Sequence, residues 1–306
     1  MQTYTSDTAR LVKNSKDNDM QKKDFFLGKR ISIIAKDAGA ANLICHYFKN
    51  KEKVIVFSQE PATKTFVEFG FKISNCIKEI IDFGDLFIVG TGTSNFEKQI
   101  VFEYLLNRKR WIPVFDHWIN FEKRLKFEGL SLTPNEIIVF DKYAYNIAAA
   151  IFKKAEITEL KNEYFSFVKS KVERESVPQS AKNFLYFHEP YEHIFEGQPY
   201  WKVCFEKFYQ RISFVKSQPF TITFRPHPKS NSNYFKQYLK RFKNVTVSEN
   251  KIYKDISRCD AAFGIRSAAL YLTDQVGKQV FSTNIDPSFP TFGPLKKMQH
   301  IDEFDF

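Results

Sequence analysis

Short apolar runs, rich in β-branched and aromatic residues, recur along the chain and alternate with segments of helical periodicity. In the first half the runs occupy positions 30–35, 53–58, 85–90, 111–115 and 136–140, and in the second half 183–187, 220–224, 245–247, 261–263 and 279–282. Helices are predicted at 43–48, from the Thr91–Ser94 loop to 106, and at 143–154, 200–215, 233–242 and 267–276. Apolar strands joined by helices are typical of parallel sheets covered on both faces. We therefore predict an α/β fold with two Rossmann-like, doubly wound domains.

A polar, charge-rich segment from about position 156 to position 182 separates the two series of strands. Domain boundaries fall in such segments, so we predict an N-terminal domain over 26–160 and a C-terminal domain over 161–306. Residues 1–25 are polar, without the apolar run of a secretory signal, and are predicted to form a leader. Doubly wound sheets bind ligands at the carboxyl ends of their strands, so two facing domains predict a ligand cleft.

Composition narrows the class of protein. Hydrophobic residues make up 43% of the 306, which favours a globular chain, and no apolar run reaches the ~20 residues that span a bilayer. The four cysteines are far apart and form no CxxC pair, as expected for reduced thiols in a cytoplasmic protein. Neither a metal site nor a cofactor is predicted.

The chain is basic, with a formal net charge of +11 from 46 Lys and Arg against 35 Asp and Glu. Such an excess suits an acidic substrate, an anionic membrane surface or a nucleic acid, and a compositional bias toward Lys and Phe would also produce it. The basic residues are scattered and form no recognisable nucleic-acid module. Nucleic acid is therefore not an expected partner, whereas peripheral contact with an anionic inner membrane is compatible with the charge.

The most informative motif is Arg225-Pro226-His227-Pro228, which ends a predicted strand. Proline fixes its own φ and restricts the residue before it, so Arg225 and His227 are predicted to be held stiffly and to point the same way. A permanent cation beside an imidazole suits the binding of a phosphate leaving group. Alternatively, His227 only makes hydrogen bonds within a turn and binds no ligand.

A second anion-binding element is predicted where Gly264-Ile265-Arg266-Ser267 leads from a strand into a helix. Helix N-termini bind anions, so Gly264, Arg266 and Ser267 are assigned to the donor phosphate. Glu189, after the first strand of this half, is assigned to the same nucleotide site. The alternatives are a Ser267 that only caps its helix and a Glu189 that is a solvated loop carboxylate.

Polar side chains also follow three strands of the first half. Asp116 and His117 lie between two aromatic residues, and partial desolvation at such a strand tip raises the pKa of a carboxyl group toward that of a useful base. Asp37 follows the first strand, and Gly92-Thr93-Ser94 follows the third. Either aspartate could instead cap the next helix. Neither a P-loop nor a GxGxxG fingerprint is present, which counts against NAD or FAD.

Three of these segments resemble motifs of GT-B glycosyltransferases of the HP-motif kind, which include bacterial sialyltransferases, polysialyltransferases and Kdo transferases that use CMP-sugars. Arg225-Pro226-His227-Pro228 is similar to their HP motif, and Ile265-Arg266-Ser267-Ala268 is similar to their serine motif. Asp116-His117-Trp118 lies where these families carry an acidic motif that ends in glycine. The chain departs there, because His117 replaces the second acid and Trp118 the glycine. The resemblance in layout spans about residues 28 to 290.

The resemblance implies a metal-independent transfer of a sialic-acid-like or Kdo-like sugar from a CMP-activated donor to a glycan or glycolipid. Arg225, His227 and Ser267 would stabilise the charge that develops on the departing phosphate. Asp116 would act as the base, with Asp37 orienting the acceptor or replacing Asp116. The other residues assigned to acceptor binding are Asn42, Thr93, Ser94, His117 and Trp118.

Three other functions fit the same pattern. A UDP-sugar 2-epimerase or hydrolase would use the same cleft without an acceptor, and a CDP-glycerol-type transferase shares related features. The non-enzyme alternative, a basic nucleic-acid-binding protein, rests on charge alone.

Overall fold

The protein is described by a computed structural model over residues 26–106, 108–175, 182–190, 193–214, 219–288 and 293–304. The predicted leader, residues 1–25, lies outside the described residues. No helix in the described part of the chain is long and apolar enough to cross a membrane.

Nine strands lie in the described residues of the N-terminal half: β1 (Ile31–Ala35), β2 (Val54–Ser58), β3 (Lys72–Ile73), β4 (Leu86–Gly90), β5 (Trp111–Val114), β6 (Lys126–Phe127), β7 (Leu130–Ser131), β8 (Glu136–Val139) and β9 (Glu156–Glu159). Seven of them form a parallel sheet in the spatial order β3-β2-β1-β4-β5-β8-β9, while β6 and β7 form a separate hairpin. Every residue of β1 and β4 is buried, as expected for central strands covered on both faces.

The part of the C-terminal half that the structure describes contains eight strands: β10 (Lys182–Phe187), β11 (Ile194–Phe195), β12 (Gln198–Pro199), β13 (Phe220–Arg225), β14 (Val245–Val247), β15 (Ala261–Gly264), β16 (Gln279–Ser282) and β17 (Gln299–His300). Six form a second parallel sheet in the order β14-β13-β10-β15-β16-β17, and β11 pairs with β12. Its core is largely aromatic, with Phe184, Tyr186, Phe224 and Phe263 packed together.

The helices connect successive strands. In the first half they are Ala38–Phe48, Ala62–Glu68, Ile77–Phe83, Phe96–Ile100 with a π-helical continuation over Val101–Leu105, Phe121–Arg124 and Lys142–Ile151. In the second half they are Glu163–Glu175, Tyr200–Phe214, Ser232–Leu239, Ile252–Arg258 and Ala268–Gln275, with short 3-10 helices at Gly293–Lys297 and Ile301–Glu303.

Both sheets have the strand order of a doubly wound Rossmann-like fold, in which successive strands are added first on one side of the first strand and then on the other. The change of side lies between β1 and β4 in the first sheet and between β10 and β15 in the second. Connections on either side of such a point leave in opposite directions, and the crevice between them is the usual ligand site. The loops after β1, β4, β10 and β15 therefore border the two predicted crevices.

All ten strands predicted from the sequence are present, with ends that differ by at most two residues. The segment predicted as the domain boundary contains strand β9, which pairs with β8, and the helix Glu163–Glu175. One side of that helix packs into the second core through Val168 and Val172. Its Tyr164 and Phe167 rings pack on His46 of the first domain, with centroid distances of 5.4 and 4.5 Å. This helix therefore contacts both domains.

We expect the stability of the protein to fall as the pH drops below about 6.5. His46 is 4% exposed, and burial lowers its pKa to about 4, aided by Lys49 and opposed by Glu163. An unfolded histidine titrates near 6.5. The stabilisation is complete above the unfolded pKa and is lost as the pH falls toward 4, so at pH 5 this residue costs about 2 kcal/mol.

Urea unfolding at pH 7.5 and at pH 5 measures this effect. His46→Phe keeps a ring in the site and removes its titration, so the variant should lose less stability at pH 5 than the parent protein. Equal losses in the two proteins would show that His46 does not contribute. Unfolding at pH 8.5 is the control, because the histidine is neutral in both states above pH 7.5.

Candidate active site

The carboxyl edges of the two sheets face each other, and side chains from both edges meet. Lys229, in the loop after β13, forms an ion pair with Asp37, in the loop after β1, with 2.8 Å between Nζ and Oδ1. Trp118, after β5, packs edge-on against Tyr271 of helix Ala268–Gln275, with ring centroids 4.9 Å apart. The two sets of loops that the sequence predicted to bind ligand therefore share one inter-domain region.

Asp37 and Glu97 form the centre of the first-domain site, at the crevice between β1 and β4. Glu97 is 2% exposed; its Oε1 accepts the backbone N–H of Lys36 at 2.8 Å, and its Oε2 accepts the Ser94 hydroxyl at 3.0 Å. Gly92 lies against both carboxylates, since a Cβ there would be 2.7 Å from Asp37 Oδ2 and 3.3 Å from Glu97 Oε1. Burial raises the pKa of Glu97 above its ordinary value, and the Asp37 charge raises it further, although hydrogen bonds oppose the shift.

Asp116 lies beside this centre but is held by an arginine. Arg124, 8% exposed, donates from Nη1 to Asp116 Oδ1 at 2.8 Å and to the Thr91 carbonyl at 2.6 Å. Asp116 Oδ2 lies 2.2 Å from the point that a Cβ on Gly39 would occupy, so a side chain at that position of helix Ala38–Phe48 would displace the Asp116 carboxylate. The helix after Asp116, Phe121–Arg124, has Asn120 at its N-cap position, so Asp116 does not cap it. The arrangement ties the β4 and β5 loops together.

His117 and Trp118 are packed into the domain contact. His117 Nδ1 accepts the backbone N–H of Trp118 at 2.9 Å. Burial lowers the pKa of His117 to about 4, and Arg124 and Arg266 lower it while Asp116 opposes them. Trp118 is 6% exposed, and its indole N–H donates to Asp141 Oδ2 at 2.8 Å. Its ring is occupied by Tyr271, which leaves it little surface for the acceptor contact assigned from the sequence.

The other residues assigned to the acceptor have local roles. Asn42 donates from its amide to the Ala38 carbonyl of its own helix at 2.8 Å. Ser94 bonds Glu97 and accepts the Phe96 N–H at 3.3 Å. Thr93 is exposed at the tip of the same loop. Asp37 precedes its helix at the N-cap position without a side-chain capping bond, so capping does not explain its presence.

The His227 loop contributes a neutral imidazole to the second-domain site. His227 Nδ1 accepts the backbone N–H of Lys229 at 3.2 Å, which assigns the ring proton to Nε2. Burial lowers the pKa of His227 to about 4, with Lys229 adding to the effect and Asp37 opposing it. At neutral pH the ring is therefore an uncharged hydrogen-bond donor.

Arg225 is held by contacts that the sequence did not predict. Its Nη1 donates to Asp255 Oδ2 at 2.6 Å and to the Asn250 carbonyl at 2.8 Å. The Asp255 side chain is 1% exposed, and a buried carboxylate needs a cationic partner. The ion pair attaches the end of β13 to helix Ile252–Arg258, so Arg225 and His227 do not act as one phosphate clamp in this arrangement.

Glu189 is a buried residue, 4% exposed, rather than a solvated carboxylate. Its Oε1 accepts the backbone N–H groups of Ile265 at 3.1 Å and Arg266 at 2.8 Å. It therefore occupies two backbone amides at the serine loop. The preceding His188 reaches the other loop, because its Nδ1 accepts the His227 N–H at 3.5 Å. The dipeptide after β10 thus supports both loops beside it.

Ser267, Gly264 and Arg266 form the serine loop. Ser267 is the N-cap of helix Ala268–Gln275 and accepts the Ala269 N–H at 3.0 Å. Gly264 ends β15, where a Cβ would lie 3.1 Å from the Phe187 carbonyl. β10 separates β13 from β15, so the His227 and Ser267 loops start two strand spacings apart, roughly 10 Å. Arg266 brings positive charge toward His117 of the first domain.

Four residues in the site were missed by the sequence analysis: Glu97, Arg124, His188 and Lys229. Glu97 had a signal, because Ser94-Asn95-Phe96-Glu97 matches the S-x-x-E pattern of a capping box. Lys229 directly follows the histidine–proline motif, where a cation suits a phosphate. Nothing in the sequence indicated Arg124, since its partner Asp116 is eight positions away in the chain.

Two cavities in the second domain, of about 660 and 570 Å³, are lined by none of the predicted site residues. One lies along β13 and β14 and includes Asp255; the other lies beside helix Tyr200–Phe214. Across the described ranges, no group of three or more His, Cys, Asp or Glu side chains is arranged to hold a metal ion. The candidate site is therefore assigned to the loops that meet between the two domains, where Asp37 contacts Lys229.

Known proteins are similar to this chain in structure. The sequence matches no protein-family model, and no curated protein matches it significantly. A predicted UDP-N-acetylglucosamine 2-epimerase from Listeria monocytogenes superposes with a TM-score of 0.53 at 13% identity, over 82% of this chain and 78% of that one. The wall teichoic acid polymerase TagF superposes with a TM-score of 0.50 at 12% identity, over 90% of this chain and 77% of that one. At such identities the likeness concerns the fold alone, and the chain has a GT-B-like fold of two Rossmann-like domains.

Proposed function

We propose that the protein is a glycosyltransferase that moves a sialic-acid-like or Kdo-like sugar from a CMP-activated donor to a hydroxyl group of a glycan or glycolipid, without a metal cofactor. The observation that carries the proposal is the ion pair between Asp37 and Lys229. It places a carboxylate of one domain beside the imidazole-bearing loop of the other, as a transfer between two bound substrates requires. The choice of a CMP-activated donor is supported by the resemblance of the segments around His227 and Ser267 to the HP and serine motifs.

The second domain suits the departure of a nucleoside monophosphate. The bond between the anomeric carbon and a phosphate oxygen breaks, and the phosphate gains negative charge. His227 donates a hydrogen bond from Nε2, while Lys229 and Arg266 supply positive charge and the N-terminus of helix Ala268–Gln275 adds its dipole. Arg225 serves by holding the strand end through Asp255. Groups fixed before the reaction stabilise the developing charge most effectively.

The first domain suits proton removal from the acceptor. The acceptor oxygen forms the new bond to the anomeric carbon, and its proton passes to a carboxylate. We assign this role to Asp37 rather than Asp116, because an Asp116 oxygen is engaged by the buried Arg124 while Asp37 faces the second domain. The Asp37–Lys229 pair must separate when the acceptor binds, which frees the lysine for the donor phosphate.

A second candidate is a sugar-nucleotide 2-epimerase or hydrolase. The observation that favours it is the superposition on the predicted epimerase, since a shared fold offers the same crevice. Because the chain also superposes on TagF, a CDP-glycerol-type transferase is a further candidate. The requirement for an acceptor separates these functions: transfer needs one, whereas epimerisation and hydrolysis proceed without it.

We expect CMP to stabilise the protein against heat more than CDP, UDP or UMP. A ligand that binds only the folded state at 100 times its Kd adds about 2.7 kcal/mol. The measurement is a thermal-shift series at constant ionic strength, followed by product analysis of CMP-sugars with and without glycan acceptors. Stabilisation by UDP alone, with product formed in the absence of acceptor, would favour the epimerase or hydrolase. Salt-sensitive RNA or DNA binding without nucleotide binding would contradict both enzymes.

A further inference from the structure

We propose that Glu97 is the positioning residue of the Asp37 base, and that its buried carboxyl group takes up and releases a proton beside Asp37. The proposal rests on the proposed function, because it assigns a partner to the base of that reaction. Glu97 does not contact the substrate. Its effect is exerted through the loop that carries Asp37.

The hydrogen bonds of Glu97 fix the loop geometry. Its Oε1 holds the backbone N–H of Lys36, the residue immediately before Asp37, and its Oε2 holds the Ser94 side chain. Lys36 and Ser94 belong to the loops after β1 and β4, the two neighbouring strands from which the chain continues to opposite sides of the sheet. A buried side chain that bridges diverging loops limits their movement, so Glu97 sets where the Asp37 carboxylate can lie.

The position of Gly92 shows that the two carboxyl groups are close neighbours. Asp37 Oδ2 and Glu97 Oε1 lie 2.7 and 3.3 Å from the point that a Cβ on Gly92 would occupy. The two oxygens are therefore within the ~4–6 Å over which one negative charge disfavours another. Any side chain at position 92 would press on both groups, which gives a reason for glycine at this position.

The surroundings of Glu97 favour its protonated form. Asp37 faces Lys229 and His227 from the second domain. Glu97 is buried beneath it, with Lys98 of its own helix as the nearby cation, and the neighbouring Asp116 is paired with Arg124. Burial disfavours the charged form of Glu97, and the neighbouring Asp37 carboxylate disfavours it further. Loss of the Glu97 proton at higher pH adds a second negative charge beside Asp37 and strengthens it as a proton acceptor.

The test compares Glu97→Ala and Glu97→Gln with the matched control Glu103→Gln. Glu103 lies on the π-helical continuation of the same helix, is exposed, and accepts a hydrogen bond from the Gln99 side chain. Glu97→Ala loses both loop contacts, and we expect kcat to fall about 10²-fold, the scale of a ~1 Å misplacement, with the donor KM unchanged. Glu97→Gln keeps the loop contacts, and we expect a smaller loss of kcat with one ionisation missing from the pH profile. Glu103→Gln should match the parent protein.

The outcomes are decisive in either direction. A Glu97→Gln variant whose pH profile superposes on that of the parent overturns the ionisation of Glu97 beside the base, and a folded Glu97→Ala variant with parental kcat overturns the positioning role. If Glu97→Ala does not fold, Glu97→Gln alone decides.

A measurement without substrate separates failure of this proposal from failure of the proposed function. In carbon-13 NMR titrations, the Glu97 carboxyl group should titrate above the usual glutamate range, and Asp37→Asn should lower its pKa. An unchanged pKa in Asp37→Asn overturns the carboxyl pair whatever reaction the protein catalyses. Absence of transfer with every CMP-sugar tested, together with a lowered pKa, rejects the transferase and retains the pair.

Discussion

Replacing Asp37 by asparagine is expected to abolish sugar transfer while donor binding persists. The substitution keeps the size of the side chain and removes the group that accepts the acceptor's proton, and loss of a general base costs typically 10²–10⁴-fold in rate. Lys229 loses its ion-pair partner and becomes available to the donor phosphate, so donor affinity should be equal or higher. The measurement is kcat at saturating donor and acceptor, with the donor Kd determined by titration calorimetry.

Asp116→Asn is the matched comparison for this prediction. Asparagine can still accept from Arg124 through its amide oxygen, so the tie between the β4 and β5 loops is retained. We expect a smaller loss of turnover than in Asp37→Asn. The reverse ranking, with Asp116→Asn inactive and Asp37→Asn active, would place the base after β5, where the sequence motif alone suggested it.

Replacing His227 by alanine is the second change with a large expected effect. The imidazole is the neutral donor assigned to the phosphate, and removal of one such donor costs about 10²–10³-fold in kcat. The fold should survive, because His227 is only partly buried at the end of β13 and its ring accepts a bond from its own loop. Steady-state kinetics and the unfolding midpoint together measure the two effects.

The pH dependence adds a check on the role of His227. Since its pKa is lowered to about 4, the ring remains neutral from pH 8 to pH 5, and its titration should cause no loss of activity in that interval. His300→Ala is the control, because His300 lies on β17, four strands away from β13 in the second sheet. Parental kcat in His227→Ala would refute the phosphate site, whatever the control shows.

The sequence predicted the strands closely because parallel strands buried on both faces have a local signature. Runs such as Ile31–Ala35 and Leu86–Gly90 are apolar throughout and are followed by polar loops. The pattern failed for short edge elements such as β3, β9 and β17, which bury few residues. The hairpins β6–β7 and β11–β12 were missed for the same reason.

By itself, the sequence determined which loops could form a site. A parallel sheet brings the carboxyl ends of its strands to one edge, so the segments around Asp37, Gly92, Asp116, His227 and Ser267 had to lie at such edges once the strands were known. Local chain chemistry also determined the N-cap role of Ser267, which depends only on the residues beside it.

Only the tertiary structure decided which side chains in those loops face a ligand and which hold the protein together. Arg225 is 30 positions from Asp255, Glu189 is 77 from Arg266, and Lys229 is far from Asp37 in the chain. An aspartate that ion-pairs with a buried arginine and one that faces the opposite domain look alike in a sequence. The partner fixes the orientation of each charged side chain, and partners distant in the chain meet only when the sheets and the two domains are assembled.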